Sequence, residues 1–170
     1  MANEHLKRTH TSFGNYKVAT FSLWMKGQEI GLTQQKPIYF YDGTTLFQVL
    51  FERSTGTNPG SLIVYSSSTD LRFGGAYRDV SSWMNLTVSV DTTKLEQDRI
   101  TVYLNGSKLD LVGSQTSNTP NYPAENAKLF SSVQTINALT GQGSYQIFDY
   151  FYVDGQALTP DVFGFYKDGD

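Results

Sequence analysis

From Trp83 to Gly106 the chain reads WMNLTVSVDTTKLEQDRITVYLNG. Within it Leu86, Val88 and Val90 alternate with Asn85, Thr87, Ser89 and Asp91, and Ile100, Val102 and Leu104 alternate with Arg99, Thr101, Tyr103 and Asn105. Successive strand side chains point to opposite faces, so this alternation describes strands with one face in a core and the other toward water or a partner. Asn105-Gly106 follows at once. Both central residues of a type I′ turn need positive φ, which makes this pair a hairpin signal and predicts that Lys108 to Val112 returns as the next strand.

The same reading extends along the chain. Tyr16 to Lys26 is a strand with Ala19, Phe21, Leu23 and Met25 on one face and Val18, Thr20, Ser22 and Trp24 on the other, which places Trp24 outside the main core. Pro37 to Tyr41 and Thr45 to Glu52 flank Asp42-Gly43 as a hairpin, and IYFY and LFQVLF are apolar enough for burial on both faces. Asn58-Pro59-Gly60 and the serine run 66–68 are turns around a strand from Ser61 to Ser66, and Gly74-Gly75 ends the next strand, Thr69 to Phe73. Residues 113–127 hold two prolines and almost no aliphatic side chain, so they read as the longest loop and the mobile surface. Leu129 to Ile136 and Ser144 to Asp154 are strands around a Gly141-Gln142-Gly143 turn. Thr159-Pro160-Asp161 opens a single helical turn over Thr159 to Phe163, and no other helix is signalled. About ten short strands with closely spaced turns predict an all-β antiparallel two-sheet sandwich, with a barrel as the alternative.

Composition excludes several classes. At 170 residues the chain fits one domain, and a chain of this size buries roughly 70% of the surface exposed when unfolded. It has no cysteine, hence no disulfide or thiolate metal site, which suits synthesis in a reducing cytoplasm. A net charge of −3 without a dense Lys/Arg run argues against a nucleic-acid partner. His5, Lys7, Arg8 and His10 make a small positive cluster that reads as a solvated tail. No apolar run approaches the ~20 residues of a membrane span, and the start lacks the apolar centre of a signal peptide, so membrane insertion is not expected.

The segments Tyr77-Arg78-Asp79-Val80-Ser81-Ser82-Trp83, Val90-Asp91-Thr92-Thr93, Val102-Tyr103-Leu104-Asn105-Gly106 and Val153-Asp154-Gly155-Gln156-Ala157-Leu158-Thr159-Pro160 resemble, in order and spacing, the laminin-G-like, concanavalin A-like jelly-roll domains of bacteriophage virion proteins. The opening, Met1 to Gly14 followed by Phe21-Ser22-Leu23-Trp24-Met25-Lys26, is similar to that of tail-fibre and appendage proteins with this domain. The resemblance implies a jelly-roll sandwich over residues 15–166, an N-terminal arm or tether over 1–14 and a C-terminal tail over 167–170. It implies a virion protein made in the host cytoplasm, joined to other virion proteins through residues 1–14 and homotrimeric by analogy with tail fibres. No cofactor is expected beyond the structural calcium considered below. Such domains often bind glycans on a concave face or edge loops, which makes host-surface polysaccharide the expected partner. The alternative is a structural adaptor or a capsid or tail decoration.

The chemistry agrees with a non-enzymatic role. Glycanases of this fold resemble the pattern E-x-D-x-E, which aims carboxylates into a groove. Here Glu4, Glu29, Glu52, Glu96 and Glu125 are isolated, and Glu96-Gln97-Asp98 falls in an expected loop. Without cysteine, and with His5 and His10 in the arm, no nucleophile has a base. A structural calcium could draw oxygens from Asp42, Asp70, Asp79, Asp91, Asp110 and Asp149, but none forms a D-x-D-x-D loop. Asp42 and Asp91 are explained by their turns and Asp79 by capping the Val80-Ser81-Ser82 loop. Sugar binding needs an aromatic face against the apolar side of a pyranose with polar groups beside it. The candidates are Tyr41 with Asp42, Tyr77 with Arg78, and Asn118, Asn121 and Tyr122. Trp83, at the start of its strand, is expected to be a buried anchor.

Overall fold

The computed structural model describes residues 6–9, 14–27, 35–52, 60–75, 77, 79, 81–115, 117–130, 133–136 and 145–164. Among them twelve strands form two antiparallel sheets: β1 Leu6–Thr9, β2 Val18–Gly27, β3 Gln35–Tyr41, β4 Leu46–Phe51, β5 Leu62–Ser66, β6 Thr69–Phe73, β7 Met84–Asp91, β8 Ile100–Leu104, β9 Ser107–Lys108, β10 Leu111–Gly113, β11 Val133–Ile136 and β12 Tyr145–Asp154. One sheet has seven strands, ordered β1-β11-β3-β4-β5-β6-β10, and the other five, ordered β12-β2-β7-β8-β9. The sandwich is the one expected; no barrel closes.

The alternation decides the packing. Ala19, Phe21, Leu23 and Met25 of β2 line up with Val90, Val88, Leu86 and Met84 of β7 and face Ile38, Phe40, Phe47 and Val49 of the opposite sheet. Phe21 lies at the centre, its ring 5.2 Å from Tyr152, 5.4 Å from Phe40 and 5.6 Å from Phe130. In β4 both faces are buried, as its mostly apolar sequence suggests. Leu50, and Ile63 opposite it on β5, point away from the inter-sheet core yet are fully buried.

Several expectations are corrected. The hairpin after β8 turns through Asn105 (φ 48) and Gly106 (φ 78), but the returning strand is split. Ser107–Lys108 pairs with β8, whereas Leu111–Gly113 crosses to pair with β6 in the other sheet. Leu6–Thr9, read as arm, is an edge strand paired with β11; four residues are too few for periodicity to show. Leu129 and Phe130 fill the core but precede β11, which is confined to Val133–Ile136. Glu96–Asp98 is a 3-10 turn, and the C-terminal helical turn is the 3-10 turn Pro160–Phe163, with the Thr159 hydroxyl donating to Asp161. Trp83 is 43% exposed. It directly precedes Met84, which pairs with core-facing Met25, so alternation turns Trp83 outward. The turns at 58–60 and 141–143 fall wholly or mostly outside the described residues.

The segment after β10 is also more fixed than its composition suggests. Asp70 and Asn121 exchange both backbone hydrogen bonds, at 2.8 and 3.0 Å, and the Asn126 amide donates to the Thr92 carbonyl at 2.8 Å. These strand-like bonds come from pairing with distant residues, which a polar sequence with two prolines does not announce.

On the outward side of the five-stranded sheet, β12 carries a bulge at Asp149, whose φ is 49. The register slip puts both Phe148 and Phe151 outward, opposite Trp24 and Ser22. Residues 155–164 run back over this face. The Thr20 hydroxyl donates to the Gln156 carbonyl and accepts from the Leu158 amide, and Phe163 packs 5.6 Å from Phe151.

Candidate functional site

The outward side of the seven-stranded sheet carries the most chemistry. Because Ile38, Phe40, Phe47, Val49, Val64 and Leu71 point inward, their neighbours Tyr39, Gln48, Tyr65 and Asp70 point outward. Register places these four directly beside one another across β3, β4, β5 and β6: Tyr39 opposite Gln48, Gln48 opposite Tyr65, Tyr65 opposite Asp70. With neighbouring strands ~4.8 Å apart, the row from Tyr39 to Asp70 is about 14 Å long. Tyr39 and Tyr65 are half-buried, and Tyr41, at the end of β3, is 45% exposed with its ring 6.3 Å from that of Tyr39.

Gln48 lies between the two tyrosines and is 7% exposed. Its carbonyl Oε1 is buried and, among the described residues, has no hydrogen-bond partner. An unpaired buried acceptor costs about 1–3 kcal/mol. Burial, with the neighbouring Tyr41 second, holds the Tyr39 phenol above its ordinary pKa.

The two ends of the row are built by turns. At one end Asp42 accepts from the amides of Thr44 and Thr45 at 2.9 and 2.8 Å; those bonds lower its pKa and keep it ionised. At the other, the Arg72 guanidinium donates to the Ser114 carbonyl at 2.9 Å and to Asn118 Oδ1 at 3.3 Å, while Asp70 accepts from the Gln115 amide at 3.0 Å. The loop is thereby fastened to the outward side of β6.

The sequence-derived candidates fall unevenly around this row. Tyr41 and Asp42 stand at one end, and Asn118 and Asn121 at the other. Tyr77 and Tyr122 are half-buried and packed against the core; the Tyr77 ring meets Phe51 at 6.0 Å and its hydroxyl donates to the Gly74 carbonyl at 2.9 Å. Arg78 lies outside the described residues. Tyr39, Gln48 and Tyr65 were not singled out from sequence, and Asp70 only as a calcium ligand. Tyr39 and Gln48 could have been found from the alternation within YFY and FQV, but their alignment with Tyr65 needs the register of three strands. Among the described residues no three acidic or histidine side chains gather where they could hold a metal ion.

Asp79 shows the capping role expected. Its carboxylate accepts from the Ser81 amide and hydroxyl at 2.8 and 2.6 Å and from the Ser82 hydroxyl at 2.7 Å. The serine hydroxyls first, then the amide, lower its pKa to about 2. The folded value lies below the unfolded one, so Asp79's support of this loop is complete above pH ~4 and is lost as pH falls through the folded value. A carboxyl-detected NMR titration is expected to give a midpoint near 2; an ordinary midpoint near ~4 would show that the hydroxyls do not hold the carboxylate.

No protein-family model and no curated protein sequence matches the chain. Its fold matches solved structures. A structure of botulinum neurotoxin type C, whose cell entry depends upon interaction with two ganglioside molecules, shares 14% identity at a TM-score of 0.56 over 94% of this chain and 40% of that one. The binding domain of botulinum neurotoxin DC, in complex with rat synaptotagmin II, shares 14% identity at a TM-score of 0.53 over 86% of this chain and 34% of that one. A native heptameric SAP-like pentraxin from Limulus polyphemus shares 14% identity at 0.53 over 91% and 71%. The chain therefore spans well under half the length of the neurotoxin chains it matches. At these identities the likeness concerns architecture alone. The antiparallel jelly-roll sandwich implied by the sequence resemblance is the fold of this chain.

Proposed function

We propose that this chain is a non-enzymatic glycan-binding module of a bacteriophage virion, a tail-fibre or appendage domain that engages host-surface polysaccharide. The observation that carries the glycan reading is the row Tyr39–Gln48–Tyr65–Asp70, in which aromatic rings alternate with groups that hydrogen-bond hydroxyls. Aromatic faces supply apolar contact area and the amide and carboxylate supply direction. One fold neighbour described as a binding domain, and another from a toxin whose cell entry depends upon gangliosides, support binding over catalysis, as does a sequence without a paired-acid motif. The virion setting rests on the resemblance of residues 77–83, 90–93, 102–106 and 153–160. In this reading the protein is made in the host cytoplasm, joins other virion proteins through its first fourteen residues and displays the sheet face as a trimer, where weak single-site affinity is raised by multivalency.

A second reading, an adaptor or decoration without glycan binding, is favoured by the exposed rings on the other sheet. Trp83 and Phe148 meet at 6.5 Å with Phe148 61% exposed, a surface suited to packing against protein. A glycan array of the assembled protein separates the two. The first reading expects specific binding that Tyr65→Ala weakens about tenfold, a change of about 1.4 kcal/mol, and competition of the free protein with phage adsorption. A blank array with adsorption unaffected would leave the second.

A further inference from the structure

The charged groups around the tyrosine row are already engaged by the protein itself, and this bears on which glycans it can take. Resting on the glycan-binding reading above, we infer that the row Tyr39–Gln48–Tyr65 selects a neutral, hydroxyl-rich glycan laid across the strands and does not recognise acidic sugars through their charge.

Five charged side chains are described on or beside this face: Lys36, Asp42, Glu52, Asp70 and Arg72. The Arg72 guanidinium, the group best shaped to grip a carboxylate, is turned to Ser114 and Asn118. Lys36 Nζ lies 5.8 Å from the centre of the Tyr39 ring, and its pKa is lowered by burial. Asp42 and Asp70 accept backbone amides of their neighbouring loops. Glu52 is buried, 8% exposed, and has an interaction of its own. A sialic or uronic acid arriving here meets no uncommitted cation among these and two fixed carboxylates.

What remains unengaged is neutral. The tyrosine rings offer stacking surface, and among the described residues Gln48 Oε1 has no hydrogen-bond donor. A sugar hydroxyl is such a donor, and a carboxylate is not. The row Tyr39–Gln48–Tyr65 crosses three neighbouring strands and is about 10 Å long, which suits about two pyranose rings of a linear chain, each with an apolar face toward a phenol.

The test is titration of the assembled protein with neutral gluco-, galacto- and manno-oligosaccharides and with the same backbones carrying uronic or sialic acid. A neutral ligand is expected to bind, with affinity changing less than about threefold between about 50 and about 500 mM salt, because few charges are screened. Gln48→Met, close in shape but without the amide, is expected to weaken binding about tenfold while the urea midpoint holds or rises, because it removes an unpaired buried acceptor; a purely structural glutamine would lower the midpoint and leave binding unchanged. Binding confined to acidic glycans, salt-sensitive and abolished by Tyr65→Ala, would overturn the inference and keep the glycan site. Neutral binding unaffected by Gln48→Met would overturn the role of Gln48. No binding by either series would remove the glycan reading itself.

Discussion

Truncating Phe21 to alanine is expected to cost about 3–5 kcal/mol of folding stability, a large share of the roughly 5–15 kcal/mol that keeps a domain folded. The side chain is fully buried and its ring is surrounded from both layers: by Tyr152 of β12 on its own sheet, by Phe40 and Phe47 of the other, and by Phe130 from the segment before β11. Interiors are packed about as densely as organic crystals, so no single neighbour can close the void without leaving its own contacts. Urea unfolding followed by the fluorescence of Trp24 and Trp83 measures the loss. Phe21→Leu, which keeps most of the volume, is expected to recover part of it. A loss below about 1 kcal/mol for the alanine variant would mean that the two sheets do not share this aromatic centre.

Gly113→Ala is expected to cost about 1–3 kcal/mol through backbone strain and to shift the loop that follows. Gly113 has φ 145, in the region that favours glycine, and an added Cβ would collide with the Ser117 carbonyl oxygen and lie 2.8 Å from Asn118 Cα. Both obstacles are backbone, so neither can move as a side-chain tip would. Displacing residues 117–118 takes Asn118 away from Arg72 and disturbs the Ser114–Ser117 hydroxyl contact of 3.0 Å. The variant should therefore show a lower denaturation midpoint together with faster amide exchange at Ser114 and Ser117, whose amides donate to Ser117 O and Ser114 Oγ. An unchanged midpoint with native exchange rates would show that the chain adopts this turn without needing a bare Cα.

The strands that alternate were legible from sequence. In β2 and β7 the apolar residues named as the inner face lie in the core between the sheets, because a period of two fixes a face whatever the partner strand, although Thr20, Ser22, Asn85 and Thr87 of the opposite face are buried as well. Asp42-Gly43 and Asn105-Gly106 were legible as turns for a similarly local reason, since Gly43, Asn105 and Gly106 adopt the positive φ that most residues avoid. What escaped was short or non-local. The edge strand Leu6–Thr9 and the crossover of Leu111–Gly113 to the other sheet are held by partners far away in the chain, and β9 is only two residues long. The outward turn of Phe148 and Phe151 depends on one bulged residue, Asp149.

The candidate site divides in the same way. Tyr41, Asp42, Asn118 and Asn121 were named because turn and loop residues stand out in a sequence, and they come to lie at the two ends of the row. Its middle did not stand out. Tyr39, Gln48 and Tyr65 sit inside apolar strands, where each by itself looks like packing. By itself the sequence determined that this chain makes pleated layers with an aromatic core and where several of its turns fall, since both follow from the preferences of adjacent residues. Only the tertiary structure decided which outward residues stand side by side, because alignment across strands is a relation between segments that neither segment contains.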